Sequence, residues 1–258
     1  MREFKQSVAL VTGGGHGIGR ATAILLAREG ARVHICGRTL EALEETRRQT
    51  EQEEGCVIVH QADVTAEDAV DEMMARIAET DEYLDILVNN AGMLGPRTKL
   101  EEVSLEDWTT TLTVNCTGVF LITRRAISLL RNSDTAVVIN LSSSVGRRGR
   151  GEWGPYSVSK HGVEGLTDVY GDELEDDAVC VVSINPGGTA TKMRAEAYPE
   201  EDPQTLPEPE DVARTIVLLA QRLDVGQTRR KYSSRALFDF VIDRRVGGAD
   251  LPHDRSGD

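Results

Sequence analysis

The strongest constraint on this chain is a rhythm. Short, largely apolar runs alternate with segments of helical periodicity from residue 7 to residue 222. The runs at 7–12 (SVALVT), 31–36 (ARVHIC), 56–60, 85–88, 137–139 and 178–184 read as buried strands. Helical segments are expected at 18–28, 39–54, 66–80, 104–130, from Tyr156 onward, and at 210–222, with a last strand at 236–242. Alternation of this kind implies an α/β fold: a doubly wound, mostly parallel, seven-stranded sheet with helices on both faces. A chain of 258 residues without repeat or linker suits one such domain, expected over 1–246, with 247–258 as a disordered tail. Residues 191–209 break the rhythm with Pro199, Pro203, Pro207 and Pro209. A long irregular stretch in a compact domain is expected to be a lid or binding loop, here with one or two helical turns at 192–197.

The first strand runs directly into Gly13-Gly14-Gly15-His16-Gly17-Ile18-Gly19 and then a helix. In that setting glycines let backbone N–H groups approach a pyrophosphate at a helix N-terminus. Taken alone, the same glycines suit a tight turn.

A second stretch carries chemistry. The run Val137–Val138–Ile139 leads to Ser142, Ser143 and Ser144, a Gly- and Arg-rich loop, and then Tyr156 and Lys160, four apart on a helix. That spacing stacks both side chains on one helix face, at the carboxyl edge of the sheet where open α/β folds bind ligands. A phenol needs roughly 3 units of pKa depression, about 4 kcal/mol, to act as a base near neutrality. An ammonium about 5 Å away at an effective dielectric of 20 supplies about 3.3 kcal/mol. Lys160 is therefore expected to lower the Tyr156 pKa and poise the pair for acid/base work on a carbonyl or alcohol.

Composition excludes other classes. A net charge of −14 disfavours nucleic-acid and anionic-membrane partners. The start, MREFKQSVALVTG, carries no long apolar core of a signal peptide or anchor. Cys36, Cys56, Cys116 and Cys180 show no paired spacing, so they read as core thiols rather than a metal site or disulfide frame, in the cytoplasm.

In order and approximate spacing, Thr12-Gly-x-x-x-Gly17-x-Gly19, Asn89-Asn-Ala-Gly92, Asn115, Ser143, Tyr156-x-x-x-Lys160 and Pro186-Gly187 resemble the short-chain dehydrogenases/reductases. The resemblance spans about residues 7–222 and is closest in kind to the single-domain branch that includes bacterial 3-oxoacyl-carrier-protein reductases. It implies a Rossmann-type sheet, a nicotinamide dinucleotide cofactor and an oxidoreductase acting on CH–OH groups, which interconverts a small-molecule ketone and a secondary alcohol. Tyr156 would transfer the proton, Ser143 would hold the substrate oxygen, and Asn115 would help hold a water linking Lys160 to solvent. Read without the resemblance, Asn115 is equally a packing residue. Gly13, Gly15, Gly17, Ile18 and Gly19 would surround the pyrophosphate, Asp63 and Val64 the adenine, and Asn90 with Ala91 and Gly92 the adenosine side. Tyr156 and Lys160 would touch the nicotinamide ribose, and Pro186, Gly187, Thr189 and Thr191 would reach the carboxamide. A homodimer or homotetramer is implied, whereas a non-catalytic dinucleotide-binding regulator or scaffold would not need the full Asn115–Ser143–Tyr156–Lys160 set.

The second strand ends in Cys36–Gly37–Arg38, without the acid that bonds a ribose 2′-hydroxyl. Arg38, aided by Thr39 and His16, suits a 2′-phosphate, so NADP(H) is favoured over NAD(H). Met93, Val145, Arg147 and Trp153 are candidate walls of the substrate pocket beside Ser143 and Tyr156. Arg147, Arg148 and Arg150 either receive an anionic substrate or pair with surface acids. The C-terminal sequence departs from the family pattern: Phe238 to Asp243 precedes a displaced Gly247–Gly248.

Overall fold

Each strand feeds a helix that returns across one face of the sheet. The computed structural model describes residues 2–242 and 251–254. Its strands are β1 (Val8–Thr12), β2 (Arg32–Gly37), β3 (Cys56–Gln61), β4 (Ile86–Asn89), β5 (Val137–Leu141), β6 (Cys180–Asn185) and β7 (Lys231–Ser233). They form one seven-stranded sheet in the order β3-β2-β1-β4-β5-β6-β7. Every neighbouring pair is parallel, so the sheet is wholly rather than mostly parallel. Strand order reverses between β1 and β4, the switch point beside which such sheets open a ligand crevice.

The helices are α1 (Gly17–Arg28), α2 (Leu40–Arg48), α3 (Glu67–Thr80), α4 (Leu105–Leu112), α5 (Gly118–Arg131), α6 (Gly154–Glu173), α7 (Lys192–Ala197), α8 (Pro209–Arg222) and α9 (Ser234–Ile242). Strand side chains alternate between two cores. On β1, Ala9 and Val11 pack with Leu26 of α1 and Ile216 and Leu219 of α8. Val8 and Leu10 pack on the other face with Met73 and Ile77 of α3 and Ile122 and Leu130 of α5. Burial on both faces is why the strands read as apolar runs.

Three elements differ from the sequence reading. Helix α2 stops at Arg48 instead of reaching residue 54, and the chain folds back tightly enough that a Cβ on Gly55 would lie 2.1 Å from the Ala31 carbonyl. The long helix around Asn115 is interrupted by a π-helical turn, Thr113–Thr117, between α4 and α5. The segment read as a last strand is helix α9, and the seventh strand is the shorter β7 before it. Leu237, Phe240 and Val241 face the α1/α8 core at helical spacing, which a short apolar run does not distinguish from a strand.

The expected disordered tail also needs correction where it is described. Leu251 is buried in the α1/α8 core, and Asp254 bridges antiparallel to Lys231. Asp243 and Gly247–Gly248 lie outside the described residues. Among the described residues, no helix is long and apolar enough to cross a membrane.

Candidate active site at the carboxyl edge

Strand β5 delivers the serines and α6 delivers the phenol and the amine. Helix α6 starts at Gly154 with Pro155 in its first turn, which presets the helical φ just before Tyr156. Ser143, in extended conformation, stands beside the Tyr156 phenol, and its Oγ accepts from Val145 N at 3.4 Å. Lys160 is buried, 5.7 Å from the Tyr156 ring centroid, and its Nζ donates to Leu141 O at 2.7 Å. Residues 143, 156 and 160 thus converge as expected, but their electrostatics do not.

Burial pushes the Tyr156 phenol up to about 12, and the Ser143 hydroxyl only partly opposes this. Burial also draws Lys160 down to about 8, against the pull of Cys116 and Glu164. The expected depression of Tyr156 by Lys160 is therefore not present in the protein's own groups. Desolvation outweighs the ammonium, whose proton is directed at a carbonyl instead. Tyr156 stands as a protonated phenol near neutrality.

Asn115 occupies the π turn and is completely buried. Its Oδ1 accepts from Met93 N at 2.8 Å, and its Nδ2 donates to Met93 O at 2.8 Å and Ser159 Oγ at 3.0 Å. Ser159 Oγ in turn donates to the Tyr156 carbonyl at 2.8 Å. Asn115 therefore fixes the chain after β4 against the first turn of α6. An extra residue in a π turn is a device that often re-aims one side chain at a site. Ser159 was missed in the sequence, where only its i+3 position from Tyr156 marked it.

The glycine loop has the shape of a dinucleotide cradle. Gly13 and Gly17 have φ of +67° and +50°, and a Cβ on Gly19 would lie 2.4 Å from the Gly13 carbonyl. His16 is the N-cap of α1, is exposed, and supplies no side-chain cap, so the first-turn N–H groups remain open to an anion. Gly15 packs against α2, with a Cβ there only 3.1 Å from Ala42 Cβ, so its smallness serves the helix rather than the loop opening. Asn90 also differs from expectation. Its Nδ2 donates to Thr12 O at 2.8 Å and Gly13 O at 3.3 Å, while Thr12 Oγ1 accepts from Asn90 N and Ala91 N, both at 3.0 Å. Asn90 holds the glycine loop in shape.

Other expected cofactor residues ring the same crevice. Asp63 caps its own turn by accepting from Thr65 N and Oγ1 at 2.9 and 2.7 Å, and Val64 packs against Gly118. Arg38 and Thr39 are exposed after β2, and the Arg38 side chain makes no ion pair among the described residues. Ile18 packs on the core below the loop, and a Cβ on Gly92 would lie 3.9 Å from Lys160 Nζ. Pro186 and Gly187 form the turn after β6, where Gly187 has φ +73° and its N–H is bonded by Asn185 Oδ1. Thr191 caps α7 and lies 3.4 Å from where a Gly17 Cβ would be, so the segment after β6 meets the glycine loop. Thr189 is buried, and its hydroxyl has no partner among the described residues. An orphaned hydroxyl beside uncapped N–H groups and left-handed glycines fits a bound dinucleotide.

Beside Tyr156 lies an apolar cluster of Leu94, Val145 and Trp153, packed by Tyr156 itself with Met193, Ala197 and Tyr198. Val145 and Trp153 lie together in this cluster, and Met93 is held by Asn115. Arg147 does not join the wall. Its Nε donates to Glu164 Oε1 at 3.0 Å, its Nη1 pairs with Asp254, and its Nη2 donates to Tyr232 O at 3.0 Å. A guanidinium saturated this way is a clamp on the C-terminal segment, while Arg148 and Arg150 are exposed. Leu94, Arg97 and Tyr198, in irregular segments, and Met193, in the short helix α7, were missed. Their signal was position, in the segments leaving the carboxyl ends of β4 and β6.

Comparison with known proteins agrees with this geometry. The profile of the short chain dehydrogenase family matches residues 7–202. The uncharacterized oxidoreductase YciK of Escherichia coli K12 is 39% identical over 209 residues, 80% of this chain and 82% of the relative. A 3-oxoacyl-[acyl-carrier-protein] reductase of Synechocystis is 35% identical over 226 residues, 85% of this chain and 91% of the relative. Among solved structures, a short chain dehydrogenase of Escherichia coli CFT073 complexed with NADPH superposes with a TM-score of 0.84 at 33% identity, covering 90% of this chain and 98% of that one. With a Rossmann-type sheet, the matching motifs in order and relatives along most of its length, this chain belongs to the short-chain dehydrogenase family of oxidoreductases acting on CH–OH groups.

Proposed function

We propose that this protein reduces a ketone to a secondary alcohol with NADPH, using Tyr156 as the proton donor. The observation that carries the reading is the convergence of Ser143 at the end of β5 with Tyr156 and the buried Lys160 on α6, the Tyr156 phenol being pushed up to about 12. A phenol that stays protonated at neutral pH is prepared to give its proton to the oxygen of a reacting carbonyl. Ser143 shares that oxygen and orients it. Lys160, drawn down to about 8, is mostly an ammonium at pH 7 and holds positive charge at the base of the site. The nicotinamide, when bound, supplies the hydride. Asn115 keeps Met93 and the first turn of α6 in register, so the substrate oxygen meets Ser143 and Tyr156 together.

NADP(H) is favoured over NAD(H) by the exposed Arg38 immediately after β2 and the missing acid there. The NADPH complex of the Escherichia coli CFT073 neighbour supports the same choice. Arg38→Ala is expected to raise the KM for NADPH about tenfold and leave that for NADH unchanged. An unchanged NADPH KM removes the argument. The residues around the crevice, from Gly13 to Gly19 and from Pro186 to Thr191, are assigned to the cofactor, with Asp63 and Val64 at the adenine. Residues 191–209 act as the lid of a single catalytic domain. The free cysteines suit a reducing, cytoplasmic setting. Exposed Phe120, Val158 and Val169 on α5 and α6 favour self-association into a homodimer or homotetramer.

A carbonyl panel followed by NADPH absorbance tests the main reading. Ketone-dependent oxidation that disappears in Tyr156→Phe, with NADPH binding intact, supports it. Binding without turnover of any carbonyl would instead favour a dinucleotide-binding regulator.

A further inference from the structure

The wall facing Tyr156 contains a part-buried arginine with one edge unpaired. Arg97 lies in the loop after β4, its Cζ 4.1 Å from the ring centroid of Trp153 and 5.3 Å from that of Tyr198. Trp153 lies 5.8 Å from Tyr156 between centroids, so a single ring separates the guanidinium from the phenol. Arg97 Nη1 donates to Ala197 O at 3.1 Å, which ties the loop to α7. Nε is buried without a hydrogen-bond partner among the described residues. Among the described residues, Nη2 has only Glu152, 3.9 Å away on a side chain that is 60% exposed.

Two other arginines of similar exposure show what saturation looks like here. Arg147, with its side chain 19% exposed, meets Glu164 at 3.0 Å. Arg194, at 25%, stacks on Tyr198 and gives both Nε and Nη2 to Glu201, at 2.6 and 2.7 Å. Arg97, at 24%, has no such carboxylate. Its Nε and Nη2 form one edge of a planar fork whose spacing matches the two oxygens of a carboxylate. The Trp153 and Tyr198 rings pack against the guanidinium. A buried N–H without a partner is unfavourable, and native proteins retain few such groups without a reason.

We infer that Arg97 receives an acid group of the substrate, so that the preferred substrate is a keto acid rather than a neutral ketone. This rests on the reductase reading above. The carboxylate takes the Nε/Nη2 edge in place of Glu152. The carbonyl lies across the Trp153 ring at Ser143 and Tyr156. Its carbon gains the hydride from NADPH and its oxygen gains the Tyr156 proton, giving a hydroxy acid and NADP⁺. The carboxylate itself changes no bond. The sequence reading looked for an anion receptor at Arg147, Arg148 and Arg150, whereas this site lies on the opposite loop.

The test compares keto acids with their methyl esters as substrates for the wild-type protein, Arg97→Gln and Arg97→Lys, with NADPH saturating. Wild type is expected to show at least about tenfold lower KM for an acid than for its ester. Arg97→Gln is expected to raise the KM for the acid about 30-fold or more and to leave kcat and KM for the ester within about threefold. Arg97→Lys is expected to recover part of the loss, because it keeps the charge but not the fork. Equal losses on acid and ester in Arg97→Gln overturn the inference and make Arg97 a structural latch. Turnover of esters by wild type with no preference for acids overturns it too, yet leaves the reductase reading standing. Absence of turnover on every carbonyl overturns both.

Discussion

Two trios of proton-carrying side chains lie on this one sheet, the first half-buried at Ser143 and Tyr156 and the second buried throughout, and they differ in what is left open. The first is Ser143, Tyr156 and Lys160, between β5 and α6. The second is His34, His60 and Asp81, on β2, β3 and the C-cap of α3. In the second, His34 Nε2 lies 2.9 Å from Asp81 Oδ2 and His34 Nδ1 lies 2.8 Å from His60 Nε2. Asp81 also accepts from Arg32 at 3.0 Å and Thr80 at 2.8 Å. A carboxylate only accepts, so the network assigns the proton of His34 to Nε2 and makes His60 Nε2 the donor to His34 Nδ1. Both trios carry shifted pKa values: His60 is drawn down to about 4 and His34 is lowered, each chiefly by burial. A perturbed pKa therefore does not by itself mark a functional site. The histidine trio is closed on itself. In the segments leaving the carboxyl ends of β4, β5 and β6, Arg97 Nε, Ser142 Oγ and Thr189 Oγ1 have no partners among the described residues.

The largest effect separates the trios by activity. Tyr156→Phe removes the proposed proton donor and is expected to lower kcat about 10³-fold with NADPH binding retained. His60→Gln is expected to leave kcat within about threefold. Comparable losses in both variants, measured under saturating NADPH, would break the distinction.

The next effect separates them by stability. An unfolded histidine titrates near 6.5, while folded His60 titrates at about 4. The folded state thus binds fewer protons in that window, and stability present above about pH 6.5 falls as pH drops toward 4. Arg32 and Arg76 face the pair with like charge and act in the same direction. The expected loss for wild type is about 2 kcal/mol between pH 6.5 and 4, read from urea midpoints. His60→Gln should flatten that slope and lower the plateau above it. An equal slope in both proteins would assign acid sensitivity to other groups.

This contrast also explains what was legible in the sequence. Strands and most helices follow from apolar runs and periodicity, and Tyr156 and Lys160 follow from spacing on one helix. Their ionisation did not follow, because it depends on desolvation by residues distant in the chain and on Lys160 reaching the Leu141 carbonyl. The histidine trio was invisible for a related reason: residues 34, 60 and 81 meet only through strand register and the end of α3. Helix α9 was misread because seven apolar-rich residues fit either period, and the choice was made by packing on the α1/α8 core. Arg97 and Tyr198 could not be paired from sequence, since two separate loops bring them together.

The smallest effect has the opposite sign and sharpens the comparison most. A buried ammonium is costly, and the depression of Lys160 to about 8 records that cost. Folded Lys160 loses its proton above about pH 8 while the unfolded chain keeps it to about 10.4. Its destabilising contribution is therefore full below about pH 8 and is relieved as pH rises through that window. Lys160→Met keeps the apolar stem and removes the charge, at the loss of the donor to Leu141 O. The variant is expected to be about 1 kcal/mol more stable than wild type at pH 7, with the advantage shrinking by pH 9.5, and to lose activity about 100-fold. Urea midpoints at both pH values check the stability, and NADPH turnover checks the rest. A variant less stable than wild type at pH 7 would mean that the Leu141 hydrogen bond holds the serine turn. Lys160 would then belong with His34, as a group kept for the fold. If stability rises while activity falls, the fold tolerates Lys160 and the chemistry requires it.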